Sequence, residues 1–476
     1  MKNIIKSLVF LIILIIVVDL VGKIFIPKWN DEWINTPIIK DFYDLPENSI
    51  DVLAVGSSQV IKGFSALELY KNYGISSYGI GISQQSIQNS YAWIKESTKT
   101  QNEKIICLEI KMLFEDTPEA QNRKGLDNMK FSFNKLENMI NDAKEQNSYE
   151  SFISYLFPIT KFHSRWKEYG TEGFIEKCET VNYRGYSLKN EVSGNLDYKN
   201  LDETSRYEAP IKENRLKCIN QIIKYCKENN IELIFFKMLD MDWDIGRHNT
   251  VKKIAEANNI KYFDFNKKDL MKEADLLYAG DTSRDNHLNI NGAQKTTNYL
   301  GKYIKSNYEI TDKRNKIEYS YYLDKQLDQY NCAVQNAKLV NIFDPSEYID
   351  ALKSENFTVI LVKNKLINDY SQNYKEIIEH IGLDINKVNK QNYYAIIENG
   401  KIKQEQGSDG NIHLETIINT NKKLVINTQN ASMIFEGAER SNFHPGLDLI
   451  VYNNKTNTVV ESSYIDYKNG AAIMGR

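Results

Sequence analysis

The stretch of sequence that decides the fold is residues 50–59, Ile-Asp-Val-Leu-Ala-Val-Gly-Ser-Ser-Gln. Its first six residues are mostly apolar and branched, which is typical of a short strand buried in a parallel sheet. A glycine and two serines follow at once and predict a tight turn at the carboxyl end of that strand. Because open α/β sheets bind their ligands at this edge, the turn is the first candidate for a functional site.

The sequence on either side alternates between strand and helix patterns. Apolar runs of strand length lie at residues 77–80, 104–110, 231–237 and 261–265, and helical patterns lie at 65–73, 86–97, 213–229, 251–258 and 293–306. Such alternation predicts an α/β domain over residues 31–308, with a parallel sheet sandwiched by helices. Residues 117–206 break the rhythm and are predicted to be an insertion between two strands of the sheet.

Beyond this domain, residues 309–330 are highly charged and are predicted to form a linker helix. Residues 331–476 are predicted to form a smaller C-terminal domain that is α+β and rich in strands. Its clearest feature is a hairpin of two strands, 449–452 and 459–463, around an Asn-Asn-Lys-Thr-Asn turn. The domain carries no catalytic motif, and we interpret it as a binding or docking module or else as a stabilising appendage.

The longest apolar stretch lies at the N-terminus. Residues 4–21 are almost entirely apolar, and a run of this length can just span a bilayer. Lys2 and Lys6 precede most of the run, and the positive-inside rule then places the N-terminus in the cytoplasm and the rest of the chain outside the cell. Residues 1–30 are therefore predicted to be an uncleaved single-pass membrane anchor. A cleaved signal peptide and a buried core helix are the alternatives.

Composition excludes several classes of protein. The 476 residues carry 60 basic and 63 acidic side chains, for a net charge of −3, which argues against nucleic-acid binding by bulk charge. Hydrophobic residues make up 42% of the chain and charged residues 26%, so neither a disordered protein nor a polytopic membrane protein is indicated. The five cysteines include no Cys-x-x-Cys pair, and no disulfide framework or metal site is predicted.

Two short motifs bracket the α/β pattern and suggest one chemistry. Ser58 in the Gly-Ser-Ser turn could act as a nucleophile, which needs a base to accept its proton. His287 is a suitable base, and Asp285 could orient its imidazole and stabilise the imidazolium ion. Each motif alone is weak, because a Gly-Ser-Ser sequence is commonly a simple turn and an Asp-x-His sequence is commonly a solvated loop.

Taken together, residues 51–306 resemble the SGNH/GDSL hydrolase superfamily, whose sheet is flavodoxin-like. The resemblance implies that Ser58 is the nucleophile, that Asp285 and His287 complete a triad, and that the N–H groups of Ser58 and Gly81 form the oxyanion hole. The spacing here is Asp-x-His, as in the alginate O-acetylation branch, rather than the usual Asp-x-x-His. The family's Gly-x-Asn-Asp block is missing, and Gln84 or Gln85 is a candidate for the third oxyanion donor.

The apolar N-terminus and the two motifs together are similar to a narrower, extracytoplasmic branch, the proteins of alginate and peptidoglycan O-acetylation and of teichoic acid D-alanylation. This resemblance implies a serine esterase or O-acyltransferase that acts on a cell-envelope polysaccharide or teichoic acid and needs no cofactor. It also implies a polytopic membrane acyltransferase as a partner. The alternative is a non-catalytic envelope assembly or glycan-binding protein that keeps the fold.

Aromatic and basic residues in the insertion form a further candidate site. His163, Arg165 and Trp166 could bind a polymer, because a guanidinium pairs with carboxylate or phosphate and an indole ring can stack on a sugar. The alternative is that these side chains pack the insertion. Trp243 and His248 follow the strand at 231–237, at the carboxyl end of the sheet, and could border the pocket.

Overall fold

The computed structural model describes residues 2–27, 36–146, 148–168, 170, 182–198, 201, 203–364, 372–418, 421–468 and 471–476. These residues divide into two compact units, Met1–Leu327 and Asp328–Arg476. The first unit holds a parallel sheet with an apolar helix at its N-terminus, and the second is rich in antiparallel strands. These three features confirm the coarser part of the predicted fold class, whereas the SGNH hydrolase type and the membrane-spanning role of the helix stay predictions.

The sheet of the first unit has five parallel strands in the order β2-β1-β3-β4-β5, which is the order of flavodoxin-like sheets. The strands are β1 Val52–Gly56, β2 Ser77–Gly81, β3 Ile105–Glu109, β4 Glu232–Lys237 and β5 Lys261–Asp264. Each one is short, and β1 to β4 are nearly all buried, as the apolar runs of the sequence predict. In the edge strand β5 only the last two residues are buried.

Helices accompany the strands throughout the first unit. They are α1 Lys2–Phe25, α2 Thr36–Tyr43, α3 Ser58–Gly63, α4 Ala66–Tyr73, α5 Ile87–Ser97, α6 Glu119–Asn128, α7 Phe133–Glu145, α8 Tyr149–Leu156, α9 Ile159–Phe162, α10 Glu213–Glu228, α11 Ile245–Asn258, α12 Lys268–Glu273, α13 Tyr278–Asp281, α14 Ile290–Asn307 and α15 Ile317–Leu339, with short 3₁₀ helices at Lys111–Leu113 and His163–Glu168. Helix α15 starts and ends later than the predicted linker helix of residues 309–330.

Alternating residues of β1 build two separate cores. Leu53 and Val55 belong to a cluster on one face of the sheet, where α2, α5 and α10 pack. Val52 and Ala54 belong to a second cluster on the opposite face, where α4 and α14 pack. Since successive side chains of a strand point to opposite faces, a sheet with both faces covered needs apolar residues at every position, and β1 meets that need.

The first part of the predicted insertion, up to residue 168, is mainly helical. Helices α6–α9 and the second 3₁₀ helix lie between β3 and β4, and residues 182–198 follow without regular helices or strands. Residues 147, 169, 171–181, 199, 200 and 202 of this stretch, among them Cys178, lie outside the described residues. The other four cysteines, Cys107, Cys218, Cys226 and Cys332, are buried and free.

The second unit stacks two antiparallel sheets. A six-stranded sheet has the order β15-β14-β13-β6-β7-β8, and a four-stranded sheet has the order β12-β11-β10-β9. The elements are α16 Pro345–Leu352, β6 Phe357–Asn364, α17 Gln372–Ile381, α18 Ile385–Val388, β7 Asn392–Glu398, β8 Lys401–Ser408, β9 His413–Ile418, β10 Lys422–Asn427, β11 Ser432–Phe435, β12 Ala438–Glu439, β13 Gly446–Asn453, β14 Thr458–Lys468 and β15 Ala471–Gly475. Apolar residues of β6, β7 and β13 face helices on one side and the smaller sheet on the other.

Candidate functional site

The Gly-Ser-Ser sequence forms a sharp turn from strand β1 into helix α3. Ser57 is the N-cap of α3, and its Oγ accepts a hydrogen bond from the N–H of Gln59 at 3.3 Å. Ser58 is the first residue of the helix and is half-buried. A serine at a strand-to-helix turn is placed as nucleophilic serines are, with the hydroxyl at the carboxyl edge of the sheet.

The structure brings Ser58 and His287 together. Ser58 Oγ lies 2.9 Å from His287 Nε2, which is within the reach that proton transfer to a general base requires. His287 lies on the loop between α13 and α14, and Asn289 caps α14 by accepting from two of its first N–H groups. The cap fixes the end of this loop, so that the imidazole is presented from a defined position.

Asp285 lies on the far side of the imidazole from Ser58. His287 Nδ1 is 2.8 Å from the backbone oxygen of Asp285 and 3.4 Å from its carboxylate Oδ1. Two acceptors at Nδ1 favour the tautomer that carries its proton there, and in that tautomer Nε2 has the lone pair that can accept the proton of Ser58. The close Asp-x-His spacing is accommodated because the backbone oxygen, as well as the carboxylate, faces the ring.

The Asp285 carboxylate is held in its ionised form. Its Oδ1 accepts from Ser283 Oγ at 2.5 Å, and its Oδ2 accepts from Lys189 Nζ. Burial would raise the pKa of Asp285, but hydrogen bonds from His287, Lys189 and Ser283 outweigh burial and hold the pKa well below its usual range. No local motif points to Lys189, which lies far away along the chain in the predicted insertion.

The candidate oxyanion donors flank the same turn. Ser58 is the first helical residue, so its N–H has no acceptor within α3. Gly81 ends β2 in register with Gly56, and a Cβ atom on Gly81 would lie 2.7 Å from Ile61 Cγ1 and 3.0 Å from the backbone oxygen of Ser57. Glycine is therefore required where β2 passes α3, and the role of its N–H as an oxyanion donor stays a prediction.

The two glutamines that follow Gly81 differ in their surroundings. Gln84 is exposed and has a φ of 52°. Gln85 is fully buried, and its Nε2 donates to Ser90 Oγ at 3.1 Å. A third oxyanion donor from either residue stays a prediction.

Three buried charged residues and the partly exposed Lys111 lie near the turn, and the sequence analysis did not identify them. Glu109 accepts from Ser57 Oγ at 2.7 Å and from the N–H of Lys111 at 2.8 Å. Lys111 and Lys237 each place Nζ 2.8 Å from Asp240 Oδ2. A signal was present in the sequence, because Glu109 and Lys237 are charged residues that end the apolar runs of β3 and β4.

The pKa values of these groups follow from their burial and pairing. Burial raises the pKa of Glu109 against the opposing effects of Lys237 and Ser57. Asp240 is the reverse case, because Lys237 and Lys111 outweigh its burial and hold its pKa well below the usual range. Asp240 is thus a carboxylate fully compensated by two ammonium groups.

A segment of the predicted insertion holds the His287 loop in place. The N–H of Ile290 donates to the backbone oxygen of Lys189 at 2.7 Å, and the N–H of Ser193 donates to that of Thr282 at 2.7 Å. Ser187 joins the same segment to α3, since its N–H donates to the backbone oxygen of Ile61 at 2.8 Å. Residues 187–193 therefore link the helix of Ser58 to the loop of His287.

His163, Arg165 and Trp166 lie on the 3₁₀ helix next to the end of α1. Arg165 donates to the backbone oxygen of Phe25 at 2.7 Å and pairs with Glu168 at 2.9 Å. Trp166 is largely exposed, and His163 Nδ1 is 3.3 Å from the backbone oxygen of Thr160. The observed contacts of Arg165 are those of a packing residue, and substrate binding by these three residues stays a prediction.

Trp243 and His248 are buried, and a role for them at the border of the pocket stays a prediction. Trp243 Nε1 donates to Asp264 Oδ2 at 2.8 Å, and His248 Nδ1 lies 2.6 Å from the same oxygen. No group of three or more His, Cys, Asp or Glu side chains that could hold a metal ion occurs among the described residues.

Comparison with known proteins gives little beyond this geometry. No protein-family profile matches the chain, and no curated protein matches it in sequence. Among solved structures, the chain is similar to a "putative acylhydrolase" from Bacteroides fragilis NCTC 9343, with 13% identity and a TM-score of 0.28, over 56% of this chain and 94% of that one. At this identity and TM-score the likeness says nothing about function.

Proposed function

We propose that the protein is a serine esterase or O-acyltransferase of the SGNH type. The single observation that carries the proposal is the 2.9 Å contact between Ser58 Oγ and His287 Nε2 at the carboxyl edge of the sheet, with Asp285 behind the imidazole. A hydroxyl, an imidazole and a carboxylate in this order form a catalytic triad whatever the fold around them. The strand order 2-1-3-4-5 and the Gly81 contact with the turn also support it.

The proposed reaction proceeds through an acyl-enzyme. Ser58 Oγ attacks the carbonyl carbon of an acyl ester while its proton passes to His287 Nε2. The negative charge on the carbonyl oxygen is stabilised by the N–H groups of Ser58 and Gly81. Collapse of this intermediate breaks the bond to the leaving oxygen, which takes the proton from His287, and the acyl group remains on Ser58.

A second nucleophile completes the cycle. His287 removes a proton from an incoming hydroxyl, whose oxygen attacks the acyl carbon and releases Ser58 Oγ with the proton returned to it. Water yields a free acid and makes the protein an esterase, whereas a sugar or polymer hydroxyl yields a new ester and makes it an acyltransferase. Exclusion of water by the bound acceptor would decide between them.

The proposed setting is the outer face of the cell membrane. Helix α1 is long and apolar enough to cross a membrane, although a secretion signal can have the same properties. We propose that α1 is an uncleaved single-pass anchor with the catalytic domain outside, and that the acceptor is a cell-envelope polysaccharide or teichoic acid. A polytopic membrane acyltransferase is the proposed partner that supplies acyl groups, and no cofactor or nucleic acid enters the proposal.

A fluorophosphonate probe tests the nucleophile. We expect the full chain in detergent to be labelled, Ser58→Ala to abolish labelling, and Ser57→Ala to retain it at a reduced rate, because Ser57 caps α3 without facing His287. Labelling that persists in Ser58→Ala would overturn the assignment, and complete loss in Ser57→Ala alone would move the nucleophile by one residue.

Acceptor specificity is tested with p-nitrophenyl acetate. An acyltransferase releases p-nitrophenol faster when an acceptor oligosaccharide is added, and mass spectrometry finds the acetylated sugar. An esterase releases acetate at the same rate with or without the oligosaccharide. Absence of both labelling and turnover would favour the non-catalytic assembly protein.

A further inference from the structure

One buried carboxylate contacts the sequence neighbours of both Ser58 and His287. Asp240 Oδ2 accepts a hydrogen bond from Gln59 Nε2 at 2.7 Å, and Asp240 Oδ1 accepts one from Asn286 Nδ2 at 2.8 Å. Gln59 directly follows Ser58 in α3, and Asn286 directly precedes His287 in its loop. The two oxygens of one side chain thus join the neighbours of the two residues that must meet for proton transfer.

Asn286 combines a left-handed backbone conformation with several hydrogen bonds of its side-chain amide. Its φ is 63°, in the left-handed region that asparagine tolerates better than most residues. Its Oδ1 accepts from the N–H of Met241 at 2.9 Å and from the hydroxyl of Tyr278 at 2.7 Å, while its Nδ2 donates to Asp240. The amide therefore fixes the turn that presents Asp285 and His287 to each other.

Asp240 is itself immobilised. It is 1% exposed, and Lys111 and Lys237 both contact its Oδ2. Its N–H donates to Asn266 Oδ1 at 2.8 Å, and Lys237 Nζ also contacts Gln59 Oε1 at 2.7 Å. A carboxylate paired and hydrogen-bonded on every side has a single low-energy position, so the groups attached to it share that position.

We propose that Asp240 is a positioning residue that sets the distance between Ser58 and His287 through Gln59 and Asn286. This inference rests on the proposed function, since it concerns the efficiency of the same triad. Asp240, Gln59 and Asn286 act through their neighbours and contact neither Ser58 Oγ nor the imidazole in the observed hydrogen bonds. A misplacement of reacting groups by about 1 Å can cost on the order of 100-fold in rate.

The sharpest variant is Asn286→Gly, because glycine keeps the left-handed backbone without strain and loses only the side-chain bonds. We expect kcat for p-nitrophenyl acetate and the rate of fluorophosphonate labelling of Ser58 to fall by about 10- to 100-fold, with KM within about twofold. The matched control is Asn259→Gly, another left-handed asparagine, with a φ of 56°, at the end of α11. We expect that control to retain wild-type rates.

Combined variants separate positioning from a loss of stability. If Gln59 and Asn286 act through one carboxylate, Gln59→Met with Asn286→Gly should lose little more rate than the stronger single variant. In a His287→Ala background, Asn286→Gly should cause no further loss of labelling rate, because the group it positions is gone. A general weakening of the fold would instead lower the rate equally in both backgrounds.

The outcomes distinguish this inference from the proposed function. Labelling that survives Ser58→Ala overturns the proposed function. If Ser58→Ala abolishes labelling but Asn286→Gly is labelled at the wild-type rate, the proposed function stands and only the positioning role is overturned. An equal loss caused by Asn286→Gly with and without His287 also overturns it.

Discussion

Gly56 is the last residue of β1 before the turn that carries Ser58, and only a residue without a side chain fits there. A Cβ atom on Gly56 would lie 2.4 Å from Cβ of Glu109, a contact that rotation of the Glu109 side chain cannot relieve. We therefore expect Gly56→Ala to lower the free energy of unfolding by about 1–3 kcal/mol, the usual cost of overpacking, and to slow labelling of Ser58. Thermal unfolding and probe kinetics on the full chain measure the two effects.

The matched control for this change is Gly280→Ala. A Cβ atom there would meet no described atom within 4 Å, so the melting temperature and the labelling rate should stay close to those of the wild type. The same melting temperature for Gly56→Ala and Gly280→Ala would contradict the close packing of β1 against Glu109.

Lys189 should make the stability of the His287 loop depend on pH. Hydrogen bonds hold the pKa of Asp285 below its ordinary value of 3.8, so the carboxylate stabilises the folded state fully above about pH 4 and loses this effect as the pH falls further. Lys189→Met removes one of these hydrogen bonds. We expect the variant to be less stable than the wild type at pH 7. The difference should shrink only as the pH falls well below 3.8, through the lowered pKa of Asp285 in the folded state.

Urea unfolding at pH 7 and at pH 2 checks this prediction, with Lys189→Arg as the control that keeps the charge. The side chain of Asp285 is 33% exposed, so solvent screens the pair and the effect should be small. A difference between Lys189→Met and the wild type that stays the same at both pH values would show that Lys189 acts by packing alone.

Single residues also mark the limit of what the sequence could predict. Ser58 and His287 could be singled out because each lies in a short motif beside a strand or helix, and the folded chain puts them 2.9 Å apart. Lys189 and Asp240 carry no local motif, because their partners are distant in sequence and meet them only in the folded chain. Tertiary contacts of this kind leave no periodic pattern in a single sequence.

Two helices begin earlier than their apolar periodicity predicts, because a side chain caps the N-terminus of each. The apolar positions predicted a helix from residue 251, but α11 begins at Ile245 because Asp244 accepts a hydrogen bond from the N–H of Arg247 at 3.0 Å. Asn289 likewise starts α14 at Ile290 rather than at the predicted residue 293. Helix α3 was not predicted at all, since its six residues are too few to show a helical period.

Strand β13 of the second unit carries a buried carboxyl that should limit stability at neutral pH. Asp448 is fully buried, its Oδ1 has no hydrogen-bond partner among the described residues, and burial raises its pKa from 3.8 to about 6 against the N–H groups of Phe443 and His444. Between pH 3.8 and about pH 6 the carboxyl of Asp448 is protonated in the folded state more often than in the unfolded state. The free energy of unfolding therefore falls as the pH rises through this range.

Asp448→Asn should remove this dependence. On going from pH 4 to pH 8, the free energy of unfolding of the variant should rise by about 1–3 kcal/mol relative to that of the wild type. Hydrogen exchange of the β13 amides measures this change, because their exchange reports the unfolding free energy of the second unit separately from that of the first. Asp328→Asn, at an exposed position of α15, removes the same charge and should show no such gain. Parallel pH profiles for Asp448→Asn and the wild type would contradict the prediction.

The chain as a whole combines an apolar terminal helix with two units of ordinary composition. Residues 3–17 of α1 are exposed, whereas Gly22 is buried and a Cβ atom there would lie 3.3 Å from the backbone nitrogen of Ile159. Arg165 adds a hydrogen bond to the backbone oxygen of Phe25 at the same end. The last turns of α1 are thus packed against the folded unit, and cleavage after an apolar signal would cut into that packing.

We therefore expect α1 to stay on the mature protein and hold it in the membrane. The 23 residues of Asn3–Phe25 extend over about 35 Å as a helix, enough to cross a hydrocarbon core of about 30 Å. The full chain should resist extraction by alkaline carbonate, and protease added outside intact cells should digest both units. Leu14→Arg, at the middle of the apolar run, should weaken insertion by about 2.5–3.5 kcal/mol and move protein out of the membrane fraction, whereas Leu14→Ile should not. A soluble product whose N-terminal residue lies beyond Phe25 would establish cleavage and contradict the anchor.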